Sequence, residues 1–203
     1  MSQEKRRLEV SQAAWKVIVR EGLDRTSMRA IAQEMGCTTG VVTHYFRNKQ
    51  ELILFALNQV TEKLKIFMEE AIYTVSGIER LVVMLSAFLP LDGERQDILR
   101  VWVAFLGYAV GRENLMSEHQ ESAAQLRGII VEELERLQAA KLLRNDIEPG
   151  IEANALLALV NGVSLDWLIQ ANCLTNDEQR LVIERYVKGL VVEKSGTSTA
   201  WRK

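Results

Sequence analysis

An all-α fold is predicted by three observations on this 203-residue chain. Only two prolines occur, Pro90 and Pro149, and both fall where helices are expected to break. Apolar residues recur three and four positions apart along most of the length, the spacing of one helical face. Glycines stand where those periodic runs stop, as at Gly22 and Gly36, and glycine is the residue that ends a helix in a left-handed conformation at least cost.

The elements follow in order. A first helix runs from about Lys5 to Glu21, with Leu8, Ala14, Trp15 and Ile18 inward and Gly22 ending it. Thr26 or Ser27 caps a second, accepting a backbone N–H that otherwise lacks a partner. Met28, Ile31, Ala32 and Met35 form its apolar face, Gly36 closes it, and Cys37 plugs the corner. Thr38 or Thr39 caps a third helix ending near Tyr45. A helix of about seven residues is too short to stand alone, so Val41, Val42, Tyr45 and Phe46 must hold it by packing. Asn48 and Glu51 have capping-box spacing and start a long helix to about Tyr73. Helices at Ile78–Phe88, Arg95–Gly111, Ser117–Ala140, Pro149–Cys173 and Asp177–Val192 complete the chain, with Pro149 in a first turn where its missing N–H costs nothing. The small, polar segment from Lys194 to Lys203 is expected to fray.

Two short helices about a glycine-containing turn make the helix-turn-helix layout, in which the second helix enters the major groove of DNA. Charge agrees with that use. Residues 1–50 carry nine Lys/Arg against five Asp/Glu, a balance of +4, which leaves –6 for the remainder of a chain whose net charge is –2. A basic end beside an acidic body attracts phosphate at one end only.

Residues Leu8 to Leu52 resemble the N-terminal domain of the TetR family of bacterial transcriptional regulators. The resemblance rests on Gly22, Thr26, Ile31-Ala32, Gly36, Gly40, Tyr45-Phe46, Lys49 and Leu52, and Thr39 to Phe46 is especially similar to the recognition helix of its betaine-synthesis regulator subgroup. It implies a DNA-binding domain over residues 1–50, a helical ligand-binding and dimerisation domain over 51–193, and a disordered tail over 194–203. It also implies roles. Thr26, Ser27 and Arg29 contact phosphate, which helix N-termini favour. Thr38, Thr39, Gly40, Thr43 and His44 face the groove, Gly40 admitting close backbone approach. Tyr45 and Lys49 hold the DNA backbone, contacts that position without specifying sequence. Tyr45 has a competing reading as core, and Lys49 as an ordinary solvated helix start. The recognition helix lacks Arg and Gln, so bidentate base contacts are sparse, and thymine methyl contacts with DNA shape are the expected source of specificity.

The second domain is less explicit. Trp102, Phe105 and Tyr108, three apart, share a slowly drifting helical face, and with Trp167 they form a candidate ligand pocket. Aromatic faces suit apolar ligands and also cations, and the subgroup resemblance admits a quaternary ammonium such as choline. The competing reading is that this stripe is core. By the same resemblance, the last two helices, bearing Leu156, Leu159, Val160, Val163, Leu168, Leu181, Val182, Tyr186 and Leu190, pair with a second copy as a four-helix bundle, and Gly162 and Gly189 permit close approach.

The function expected is a homodimeric cytoplasmic regulator, usually a repressor in this family, released from a palindromic operator by a small-molecule inducer. The alternative is a helical small-molecule-binding protein without DNA-binding activity. No nucleophile–base grouping, phosphate-binding glycine loop or metal spacing marks an enzyme, and no cofactor or metal site is expected. His44 has no ligand-forming neighbour in sequence. Cys37 and Cys173 stand alone, against a disulfide framework. No signal peptide is read at Met1 to Arg7, and the longest apolar run, Val101 to Val110, is too short to span a bilayer.

Overall fold

The computed structural model describes residues 3–170 and 173–192, with only the backbone of 71 and 72. Its helices are α1 (Gln3–Glu21), α2 (Met28–Glu34), α3 (Thr39–Tyr45), α4 (Lys49–Thr74), α5 (Gly77–Ser86), α6 (Gly93–Ala109), α7 (Glu113–Ala139), α8 (Pro149–Ile169) and α9 (Asn176–Gly189). The tail expected over 194–203 lies outside the described residues. No described helix is long and apolar enough to cross a membrane.

Local chemistry sets most boundaries as expected. Gly22 and Gly36 have φ of +77° and +63°, so each turns the chain in the left-handed region. Asn48 Oδ1 accepts the Glu51 amide at 2.9 Å, while the Glu51 carboxylate accepts the Arg47 amide at 2.9 Å, which starts α4 with two otherwise orphaned donors satisfied. Pro149 occupies the first turn of α8.

Three boundaries differ from expectation by three residues or more, one of them the end of α8, which stops at Ile169 rather than Cys173. α7 starts at Glu113 rather than Ser117 because the turn at Gly111 (φ +78°) releases the chain earlier. α9 ends at Gly189 rather than Val192 because the chain leaves the helix to pair with the α7–α8 connection. There Arg144 N–H donates to Leu190 O at 3.0 Å and Val192 N–H to Leu142 O at 3.2 Å.

Two apolar clusters organise the packing. The first joins Val10, Ala14 and Val17 of α1, Ile31 and Ala32 of α2, Val42 and Phe46 at α3, and Leu52 of α4. Leu8 and Trp15, expected inward, are only half-buried. The second cluster runs through α4 to α9 from Ile53, Leu57 and Val60 to Ile183 and Val187. α4 therefore serves both, and at 26 residues it extends about 39 Å. Arg80 of α5 and Arg136 of α7 bracket the buried Glu133, with Arg80 donating at 2.5 and 3.0 Å and Arg136 at 2.6 and 2.9 Å. Burial pushes the Glu133 carboxyl upward, and Arg80 opposes that shift.

Candidate nucleic-acid interface and ligand cavity

The recognition element is built from the corner outward. Ser27, not Thr26, caps α2, its hydroxyl accepting the Ala30 amide at 3.1 Å. After Gly36, the Cys37 amide donates to Ala32 O at 2.9 Å, which fixes the angle at which α3 leaves. Val42 and Phe46, both fully buried, anchor α3 from beneath. Thr38, Thr39, Gly40, Thr43 and His44 consequently stand exposed together. Thr43 Oγ1 donates back to Thr39 O and Gly40 O, both at 3.2 Å, on a residue that is itself exposed. Tyr45 is half-buried and meets His44 edge-on at 4.9 Å, so it belongs partly to the core and partly to the surface. A side chain added at Gly40 would touch nothing closer than Thr38 Oγ1 at 3.7 Å, and the fold itself does not require glycine there.

Two expected contact residues have their side chains engaged within the fold. Thr26 is 2% exposed and its hydroxyl donates to Gly22 O at 2.8 Å, so its side chain locks the α1–α2 connection and is not presented outward. The Lys49 ammonium donates to Leu23 O and lies 5.3 Å from the Tyr108 ring centroid. Burial holds its pKa below the usual lysine value, with Arg112 acting in the same direction and Asp24 against it. Lys49 thus ties the α1–α2 loop to α6. Sequence reasoning overlooked Arg25 and Arg47, which flank the helix-turn-helix, are exposed, and make no ion pair among the described residues. Ser27 and Arg29 are exposed beside them. By contrast, Arg20 is engaged by Glu34 at 2.8 Å, and Arg7 lies against Phe46 and Phe55.

A cavity of about 170 Å³ lies within the second cluster, walled by α4, α6, α7, α8 and Phe88. Trp102 lines it, but the other three expected pocket aromatics do not. Phe105 is 1% exposed, a core residue whose ring lies 5.6 Å from that of His119. Tyr108 faces a separate cleft with Asp24 and Arg112, and its ring carries Arg112 at 4.1 Å. Trp167 sits under Arg100 at 5.6 Å. Three residues apart on a helix is a turn of about 300°, so the stripe drifts by about 60° per step and leaves the cavity. His119, Ser122 and Asn161 line the cavity as well, residues for which no sequence signal was read. Burial lowers the His119 pKa, which favours the neutral imidazole, and its buried Nδ1 has no hydrogen-bond partner among the described residues. No group of three or more metal-ligating side chains occurs among the described residues.

Comparison with known proteins agrees with this architecture. Residues 11–55 match the family model for bacterial regulatory proteins of the tetR family, and residues 77–192 match the model for the C-terminal domain of BetI-type transcriptional repressors. The chain is 30% identical over 192 residues to the HTH-type transcriptional regulator PksA of Bacillus subtilis (strain 168), covering 94% of this chain and 92% of that one. It is 24% identical over 187 residues to the HTH-type transcriptional regulator BetI of Vibrio vulnificus (strain YJ016), covering 90% and 91%. Among solved structures, a putative transcriptional regulator from Saccharomonospora viridis in complex with choline superposes with a TM-score of 0.85 at 21% identity, covering 94% of this chain and 100% of that one. That identity speaks for the fold alone. With both halves matched and one relative aligned over nearly its whole length, the chain belongs to the TetR family of transcriptional regulators, with a C-terminal domain of BetI type.

Proposed function

We propose that this regulator is a homodimeric repressor, acting in the cytoplasm and released from a palindromic operator when a small molecule occupies the cavity beside Trp102. The observation that carries the DNA-binding part is the exposed face of α3, where Thr38, Thr39, Gly40, Thr43 and His44 stand together above a fully buried Val42 and Phe46. Ser27, Arg29 and Tyr45 contact phosphate or sugar in this reading, and Arg25 and Arg47 join them as exposed cations. The domains assigned are residues 1–50 for DNA and 51–193 for ligand and dimer.

Dimerisation is supported by α8, whose exposed face carries apolar residues alongside Asn154 and Asp166. Its inner face buries Leu156 and Val160, while Ile151, Ala158, Gly162 and Ile169 remain exposed on its outer face. A helix with apolar residues on both faces gains stability in water when both are covered. Inducer binding selects a conformation in which the two reading heads no longer match adjacent groove turns. The test is titration of the full chain with duplex from its own upstream region at rising salt, with and without candidate inducers. Phosphate neutralisation predicts affinity that falls linearly on a log–log plot. Absence of binding at low salt overturns the repressor reading in favour of a small-molecule-binding protein without DNA-binding activity.

A further inference from the structure

The cavity's chemistry narrows its ligand. The described residues that line it include no Asp, Glu, Lys or Arg. Its walls are leucine, isoleucine and valine side chains, with Trp102 and Phe88 as aromatics. Five polar side chains interrupt them. Thr61 and Ser164 are occupied, donating to Leu57 O at 3.5 Å and Phe88 O at 3.0 Å. Among the described residues Ser122 and Asn161 make no side-chain hydrogen bond, and His119 keeps its buried Nδ1 without one. Carboxylates do exist nearby, Glu62, Glu118 and Glu121, but they line an outer cleft that shares only Thr61 and Ser122 with the cavity, and all three are exposed. Water screens them, and Glu62 is engaged by Lys65 at 2.9 Å.

We infer that the ligand of this cavity is a neutral, mostly apolar molecule with one hydroxyl or carbonyl end, held by Asn161 and Ser122 with His119 beside them, and not a quaternary ammonium such as choline. This rests on the reading of the cavity as the inducer site. A cation entering it would give up its water with no carboxylate to replace it. Recognition of quaternary ammonium ordinarily uses a cage of several aromatic faces, whereas here aliphatic walls predominate. A neutral ligand satisfies the three idle polar groups and buries its hydrocarbon against those walls. Size sets a further limit. A cavity of about 150 Å³ accommodates benzene, so about 170 Å³ suits a body on the order of six to ten non-hydrogen atoms.

The test is a matched pair of probes, choline and neopentylcarbinol, which is choline with carbon in place of the quaternary nitrogen. Their shapes agree and only the charge differs. Titration calorimetry on the full-length dimer should show neopentylcarbinol binding at least about tenfold more tightly than choline. Nuclear Overhauser contacts should join its tert-butyl group to the Trp102 indole, and Leu126→Trp, which fills the cavity, should abolish binding. Asn161→Asp supplies the missing carboxylate and should shift the preference toward choline. Choline binding in the cavity as tightly as the carbinol, or more so, overturns the neutral assignment and leaves the inducer site standing. If neither probe binds, or Leu126→Trp leaves carbinol binding intact in a chain that still binds operator, the cavity is not the ligand site and the assignment falls with it.

Discussion

Single residues separate the groups proposed to read DNA from those that hold the helix-turn-helix together. Gly40 is the sharpest case, because its φ is not in the left-handed region and nothing in the fold fills the space a Cβ would take. Glycine inside a helix costs about 1 kcal/mol relative to alanine, so Gly40→Ala should raise thermal stability. If the bare backbone is there to approach the groove, the same change should weaken operator binding, and unchanged affinity in a gel-shift titration would remove Gly40 from the interface. Arg47 and Lys49 make a second contrast. Arg47 is exposed and unpaired, so Arg47→Ala should leave the melting temperature in place while reducing the slope of log affinity against log salt by about 1. Lys49 is bonded to Leu23 O and stacked on Tyr108. Lys49→Met should do the reverse, lowering the melting temperature and leaving the salt slope alone. A reduced slope in Lys49→Met would return that ammonium to the DNA backbone. The packing of Thr26 and Lys49 was not legible for one reason: their partners are the main-chain carbonyls of Gly22 and Leu23, which a pattern of side chains does not display.

Among elements, what was legible in sequence was local. The corner between α2 and α3 could be read because a capping serine, an apolar face and a left-handed glycine all act within a dozen residues. The cavity could not. Its walls bring Leu57 together with Ser164 across more than a hundred positions, and the aromatic spacing that pointed to Tyr108 took the drift of α6 around its own axis as too slow. The α5–α7 link was equally invisible, since Arg80 and Glu133 lie far apart in sequence and meet only on folding. That link has a measurable consequence. Removing one partner from a buried charge group commonly costs about 3–5 kcal/mol, and because Arg136 remains bonded to Glu133, Arg80→Met should cost less, about 2 kcal/mol. The sign with pH follows from the direction of the shift. Burial raises the Glu133 pKa above its ordinary 4.5, and loss of Arg80 raises it further. The folded variant then holds a proton that the unfolded chain has released, so stability present below about pH 4.5 is lost as pH rises through the folded value. The deficit of Arg80→Met against the parent, taken from urea melts, should therefore shrink toward acid pH. A deficit that does not vary with pH would mean that packing alone explains it.

At the scale of the whole molecule the open question is what covers α8 and α9. Ile151 is 63% exposed, Ile169 81%, Leu181 40% and Tyr186 39%. Scattered apolar residues are unremarkable on a surface, but apolar residues recurring along the exposed face of one helix support an interface there. Gly162 stands exposed on the outer face of α8, where a Cβ would meet nothing within 4 Å, so a large side chain is harmless to one copy and obstructive to two. Gly162→Arg should fold with an unchanged circular dichroism spectrum and sediment at the 23.0 kDa of a single chain. Two linked reading heads gain affinity through the high effective concentration of the second once the first has bound, and that gain is lost when they separate. Operator affinity of Gly162→Arg should thus fall about a hundredfold or more, although the variant lies on a helix that does not touch DNA. Its affinity for neopentylcarbinol should persist, because the cavity is walled by residues of one chain. A dimeric Gly162→Arg would move the interface away from α8. A monomer with parental operator affinity would break the link between dimerisation and DNA binding on which release by an inducer depends.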